Sequence, residues 1–252
     1  MRQLFKVLTS STWVLLGVVL AAQPASAQKR YPSIEDKWDG TDYRAVVERV
    51  RKDGLELPTL ADEATKPVFE RMSSLDNIPL HMGLNGKLSV TIRYQRLDSA
   101  LDPIHKIVVL YSNEVKKGKP YAKELANMMV YETKVSAALL DLSERYLATY
   151  ESDKRYQTHV AYIDQMKNNG RQLYSELVQT IGDTRQYSKP ETLMMIKCAL
   201  DGLSSYLPLF ADEDRQNHIQ KLTQQISATK DQELKKALTE LRDAIEQRRV
   251  KT

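Results

Sequence analysis

The stretch that most limits what this chain can fold into begins at Pro120 and runs to Ser152, with no further Pro and no Gly before Gly170. At about 100° per residue, Leu125, Met128, Val135, Leu139, Leu142 and Tyr146 fall on one side of a helix. Ala122, Met129, Leu140 and Leu147 widen that side one way, and Tyr131 and Ala138 the other. Only Lys123, Asn127, Lys134, Asp141 and Arg145 remain as a polar strip. A helix with so thin a wet face must be covered by several neighbours. The predicted fold is therefore all-α: a single multi-helix bundle around a long central helix at about 120–152, with Pro120 in its first turn.

One residue breaks the pattern. Glu132 points into the middle of the apolar arc, between Met128 and Val135. An unpaired carboxylate there costs several kcal/mol or takes up a proton, so it needs a partner. Short connections near Gly118 and Asp153 make the flanking helices antiparallel to the central one. That register brings His105 from one side, and Lys167 and Arg171 from the other, to the level of Glu132. The set reads either as a buried ion pair that fixes helix register or as a ligand or proton site. Ser136 and Ser143, small and on the same side, let a neighbouring helix come close.

Flanking segments carry their own signals. Thr41 or Asp42 is expected to cap a short helix with Tyr43, Val46, Val47 and Val50 inward and Gly54 as its stop. Thr59 with Asp62 resembles a weak capping pattern for a helix containing Val68, Phe69 and Met72, interrupted at Pro67. Ser73 to Gly86, with Pro79, Gly83 and Asn85-Gly86, reads as a loop. Residues 87–101 fit both a strand alternation and a helix face; no second strand exists to pair with, so helix is preferred. Asp102-Pro103 reads as a cap and first turn of a further helix with Ile104, Ile107, Val108, Tyr111 and Val115 inward. After Asp153 comes a long helix carrying Tyr156, Val160, Ile163, Tyr174, Leu177, Val178 and Ile181, with Gly170 on the packed face and Gly182 at its end. Ser188 and Glu191 make a capping box for the helix closed by Pro208. Ile219, Leu222 and Ile226, then Leu234, Leu238, Leu241 and Ile245, mark two last helices with charged backs.

The expected organisation is a cleaved secretory signal at 1–27, an extended segment at 28–40, the bundle at 41–210 and a C-terminal helical hairpin at 211–252. Arg2 and Lys6 precede the apolar run Val14–Ala22, and Ala25-Ser26-Ala27 is a small-x-small cleavage site, placing the cut between Ala27 and Gln28. The chain is thus expected to be exported, periplasmic or secreted, with no transmembrane segment in its mature part. Loss of the leader removes two of 37 basic residues and none of 33 acidic ones, leaving a net charge of +2. That is no concentrated basic face, and nucleic acid is not an expected partner. The Arg248-Arg249-Val250-Lys251 cluster suits the negative end of a helix dipole. The lone Cys198 allows no internal disulfide and reads as a buried thiol, so stability must come from burial.

Catalytic patterns are missing. No Gly-x-Ser-x-Gly turn, Gly-rich phosphate loop or helical His-x-x-x-His or Glu-x-x-His pair occurs, and His81, His105, His159 and His218 are scattered. Met128-Met129 and Met194-Met195 point about 100° apart within each pair and read as core filling. No enzyme, metal or cofactor is expected. Tyrosine is the one excess, 13 against three Phe and two Trp. Tyr131, Tyr146, Tyr150, Tyr156 and Tyr162 crowd the joint near Asp153, either as packing or as a contact surface. The first expectation for function is a non-catalytic exported helical protein that binds another envelope or extracellular component. The alternative is a small-ligand-binding bundle with an internal polar site around Glu132.

Overall fold

A computed structural model of the chain describes residues 31–32, 38–83, 87–181 and 186–247. The signal at 1–27 with its Ala27/Gln28 cut, most of the 28–40 segment, Asn85-Gly86, Gly182 and the 248–251 basic cluster lie outside the described residues. Among the described residues there are nine α-helices and no strand. They are α1 (Gly40–Lys52), α2 (Lys66–Met72), α3 (Asn77–Met82), α4 (Val90–Lys116), α5 (Ala122–Ala148), α6 (Tyr156–Ile181), α7 (Lys189–Tyr206), α8 (Asp212–Ala228) and α9 (Gln232–Gln247).

The central helix is α5. It packs against α4, α6 and α7 together, and its buried residues, from Leu125 to Tyr146, surround its axis rather than forming one stripe. Burial this broad supplies the stability that a disulfide-free chain needs. The helix is shorter than 120–152 at both ends. Tyr121 is its N-cap, so Pro120 lies just outside, and the Tyr121 ring sits edge-on to Tyr111, centroids 5.8 Å apart. At the far end the Thr149 hydroxyl donates back to the Tyr146 carbonyl (2.7 Å), and Asp153 accepts from the Arg155 N–H (2.7 Å). These side chains satisfy the backbone locally and turn it into α6.

The largest departure from the sequence reading is α4. Residues 87–101 are helical as expected from Val90 on, but Asp102-Pro103 caps nothing: the helix runs straight through Pro103. Pro103 lacks the N–H that would bond the Ser99 carbonyl. Against that carbonyl sits the bare Cα of Gly40, where an added Cβ would lie 2.3 Å from Ser99 O. The N-terminus of α1 is thereby held on the middle of α4. Its cap is Asp39, not Thr41 or Asp42; Asp39 accepts from the Thr41 N–H (2.6 Å) while Asp42, at N3, accepts from the Asp39 N–H (2.8 Å). Trp38 just before it is 1% exposed, which ties the incoming chain to the core.

Smaller corrections follow the same logic. Pro67 starts α2 instead of breaking it. Thr59 does not cap that helix; its hydroxyl donates to Glu124 (2.7 Å). The loop expected over 73–86 contains α3, whose Asn77 and His81 are buried. Ser188 stands at the N-cap of α7 but its side chain makes no capping bond, so the expected box with Glu191 is not formed. The last two helices pair with each other, and α9 also lies on α7. Lys189 reinforces this contact through Asp231 (2.9 Å) and Glu233 (2.7 Å). The apolar stripe Leu234, Leu238, Leu241 and Ile245 is therefore covered from within the chain. No helix among the described residues is long and apolar enough to cross a membrane.

Candidate functional site

Because α4 continues through Pro103, Asp98, Leu101, Asp102 and His105 share one face at i, i+3, i+4 and i+7. Across from it, α6 presents Tyr162, Gln165, Met166, Asn169, Gly170 and Leu173, then Glu176. Both helices lean on α5, whose Glu132 and Ser136, one turn apart, form the floor between them. At Gly170 a Cβ would stand 3.2 Å from Leu140 and 3.6 Å from Ser136 Oγ, so the missing side chain lets α6 seat closely on α5. The result is a cleft of about 380 Å³, within the range of small-molecule sites. A groove of about 390 Å³ between α6 and α8 has only polar side chains around it, among them His218, Asn217 and Gln220, and lacks the apolar wall such sites use.

Glu132 is the buried acid of the cleft, its side chain 3% exposed, while that of His105 is 53% exposed. His105 Nδ1 donates to Glu132 Oε1 at 2.8 Å. The second carboxylate oxygen, Oε2, is buried and has no partner. Glu124, another buried acid of α5, makes a useful contrast. It accepts from the Thr59 hydroxyl (2.7 Å) and the Leu60 N–H (2.8 Å), and neither of its oxygens is left buried without a partner. Burial raises the Glu132 carboxyl above its ordinary range, against the opposing pull of His105. The bond to Glu132 raises His105, burial partly offsets this, and the charges of Glu132, Glu176 and Asp102 add to it. Burial likewise raises Asp98, although the Tyr162 hydroxyl donates to it.

The expected meeting of Glu132 with His105 is present, whereas Lys167 and Arg171 turn elsewhere. Lys167 donates to Glu144 (2.6 Å) and Arg171 pairs with Asp214 at 3.6 Å. Long cationic side chains on a partly exposed face reach outward to water and surface acids rather than inward. The tyrosines divide as well. Tyr131 is fully buried and meets the Tyr43 hydroxyl at 2.7 Å, far from the joint near Asp153. Tyr146 is buried and stacks on Tyr94 at 4.0 Å; Tyr150, half-buried, stacks on His159 at 3.8 Å. Tyr156 is half-buried, and only Tyr162, 40% exposed, offers an open ring, beside the cleft. Of the acids here, Asp98 and Glu176 were not singled out by sequence, and Asp102 was read only as a helix cap. Their signal is the i, i+4, i+7 spacing of Asp98, Asp102 and His105, which reads as one face only once the helix is allowed to pass Pro103. Comparison with protein-family models, curated proteins and solved structures gave no match to this chain.

This geometry predicts an unusual response at Glu132. A bond to a half-exposed histidine is screened by water, whereas an unpaired buried oxygen costs about 1–3 kcal/mol. The second effect is larger. Glu132→Met, which keeps the volume, is expected to raise stability by about 1 kcal/mol at neutral pH. Both members of the pair have raised values in the folded state, so the stability they contribute is present at low pH and lost as pH rises. Asp98, Asp102 and Glu176 remain in both proteins, and removal of Glu132 also relieves its repulsion with Glu176, which acts in the same direction. The advantage of Glu132→Met should therefore grow between about pH 5 and about pH 8, across the ordinary Glu and His range. Denaturant midpoints measure it; a variant less stable than the parent at the higher pH would mean that the pair serves helix register.

Proposed function

We propose that this chain is an exported, non-catalytic helical protein that holds a small ligand in the cleft between α4, α5 and α6. The reading is carried by one observation: a carboxylate in the floor of a ligand-sized cleft, 3% exposed, with one oxygen left unpartnered. A side chain that served only to fix helix register would be expected to have both oxygens bonded, as partial satisfaction is the costly state. A ligand that supplies the missing donor removes that cost on binding. The leader-like residues Met1–Ala27 support export, and the binding of an envelope component through tyrosine has less support, since Tyr131 and Tyr146 are buried.

The test is a ligand-observed NMR screen of the full chain with fragments of positive, negative and zero charge. Asn169→Trp supplies the control, because Asn169 lines the cleft and is solvent-exposed, so an indole there fills the space without disturbing the core. Hits that vanish in Asn169→Trp, with its melting temperature unchanged, are the expected result. A silent screen, or hits that persist in the variant, would remove the proposal.

A further inference from the structure

The cleft has a sign as well as a size. Asp98, Asp102, Glu132 and Glu176 line it, and among its lining residues there is no lysine or arginine. His105 alone can bring positive charge, and it is already engaged with Glu132 Oε1. The cations nearest on α6 are committed outside, Lys167 to Glu144 and Arg171 to Asp214. Lys106 reaches only Asp102, at 2.6 Å, from beyond the lining. An acidic lining alone would mean little. The independent observation is Glu132 Oε2, buried and unpartnered in the floor, which calls for a donor, and most strongly for a charged one. A metal ion does not fit, because among the described residues no three His, Cys, Asp or Glu side chains converge to hold one.

The acids are also spaced along the cleft. Asp98 and His105 are seven residues apart on α4, roughly 10 Å along the axis at the helical rise. Glu132 meets His105 directly, and Glu176 lines the cleft on the same side, farther along α6; Asp98, bonded by the Tyr162 hydroxyl, marks the other end. Between the two ends the walls are Leu101 and Met166. Resting on the reading that this cleft binds a ligand, we propose that it takes a linear aliphatic diamine. One ammonium group meets Glu132 and Glu176, the methylene chain lies over Leu101 and Met166, and the second ammonium group meets Asp98 beside the exposed Tyr162 ring. That ring adds a cation–π contact where the ligand leaves the cleft.

Calorimetric titration of the full chain with cadaverine, pentylamine, pentanediol and glutarate tests the class with one chain length. Cadaverine should bind at least tenfold tighter than pentylamine, and pentanediol and glutarate should give no binding. Asp98→Asn keeps an acceptor for Tyr162 while removing the charge, and should bring cadaverine down to the pentylamine level. Glu176→Gln, at an exposed side chain, should weaken both amines together. Cadaverine no tighter than pentylamine, or cadaverine binding indifferent to Asp98→Asn and Asn169→Trp, overturns the diamine assignment. Pentanediol or glutarate binding that Asn169→Trp abolishes overturns the assignment while leaving the cleft a ligand site. Silence from all four compounds together with an empty fragment screen takes both readings away.

Discussion

Gly40→Ala is expected to destabilise the protein by about 3 kcal/mol, a fall of roughly 9 °C in melting temperature for a chain of this size. The sign is informative because two effects oppose. Helix propensity alone favours alanine over glycine by about 1 kcal/mol, and Gly40 opens α1. Sterics point the other way and win. The new methyl carbon would stand 2.3 Å from Ser99 O and 2.8 Å from Ser99 C, both backbone atoms. No rotamer change can relieve a clash with a carbonyl in the middle of α4, so α1 must lift. Lifting it loosens Trp38 and Tyr43, both almost fully buried. Thr41→Ala, at the exposed neighbouring position, should leave the melting temperature nearly unchanged. If Gly40→Ala melts with the parent, the contact between α1 and the Ser99 carbonyl is not as tight as described.

Asn77→Asp should be still more damaging, by about 4 kcal/mol or more at neutral pH. Asn77 is fully buried. Its Nδ2 donates to the Tyr43 hydroxyl (3.1 Å) and to the Arg71 carbonyl (2.9 Å). The Tyr43 hydroxyl in turn lies within donating distance of both the Tyr131 hydroxyl (2.7 Å) and the Met72 carbonyl (3.1 Å). This network ties α1, α3 and α5 to the end of α2. The substitution keeps the shape, deletes both donors and buries a charge among acceptors. Burial raises the folded-state value of the introduced carboxyl. By linkage, the stability of the variant relative to its parent is then best at low pH and is lost as pH rises through that raised value. Urea midpoints at about pH 5 and about pH 8 bracket the change for a buried acid. His81, one turn on along the same short helix and held low by burial, gains a negative neighbour in the variant, which acts in the same direction. Equal deficits at both pH values would contradict the buried placement of Asn77.

Much of the fold was legible because helices write their own period. The apolar residues of 122–148, 156–181 and 232–247 recur at helical spacing, and most of them are buried, although Tyr156 and Val160 are only half-buried and the burial of the central helix extends all round it. Short connections made α4 and α6 antiparallel neighbours of α5, so residue counting alone brought His105 level with Glu132. Local rules failed where a long-range contact outweighed them. Asp102-Pro103 has the composition of a helix start, yet burial of Ala100, Pro103 and Ile104 in one continuous helix outweighs the lost backbone bond. Ser188 and Glu191 have the spacing of a capping box, yet the side-chain bond is not made.

The sequence by itself determined the helical class, the central position of α5 and the oddity of Glu132, because all three depend on periodicity and on the desolvation of one charge. Only the tertiary structure decided what surrounds that charge. Lys167 and Arg171 could have swung inward by their positions along α6, but side-chain direction depends on which acids a neighbouring helix offers, and Glu144 and Asp214 stand outside. The gap between α4 and α6, with Asp98, Asp102 and Glu176 around it, is likewise a property of three helices packed together. No single helix encodes a cavity, since its volume depends on how far apart its neighbours are held.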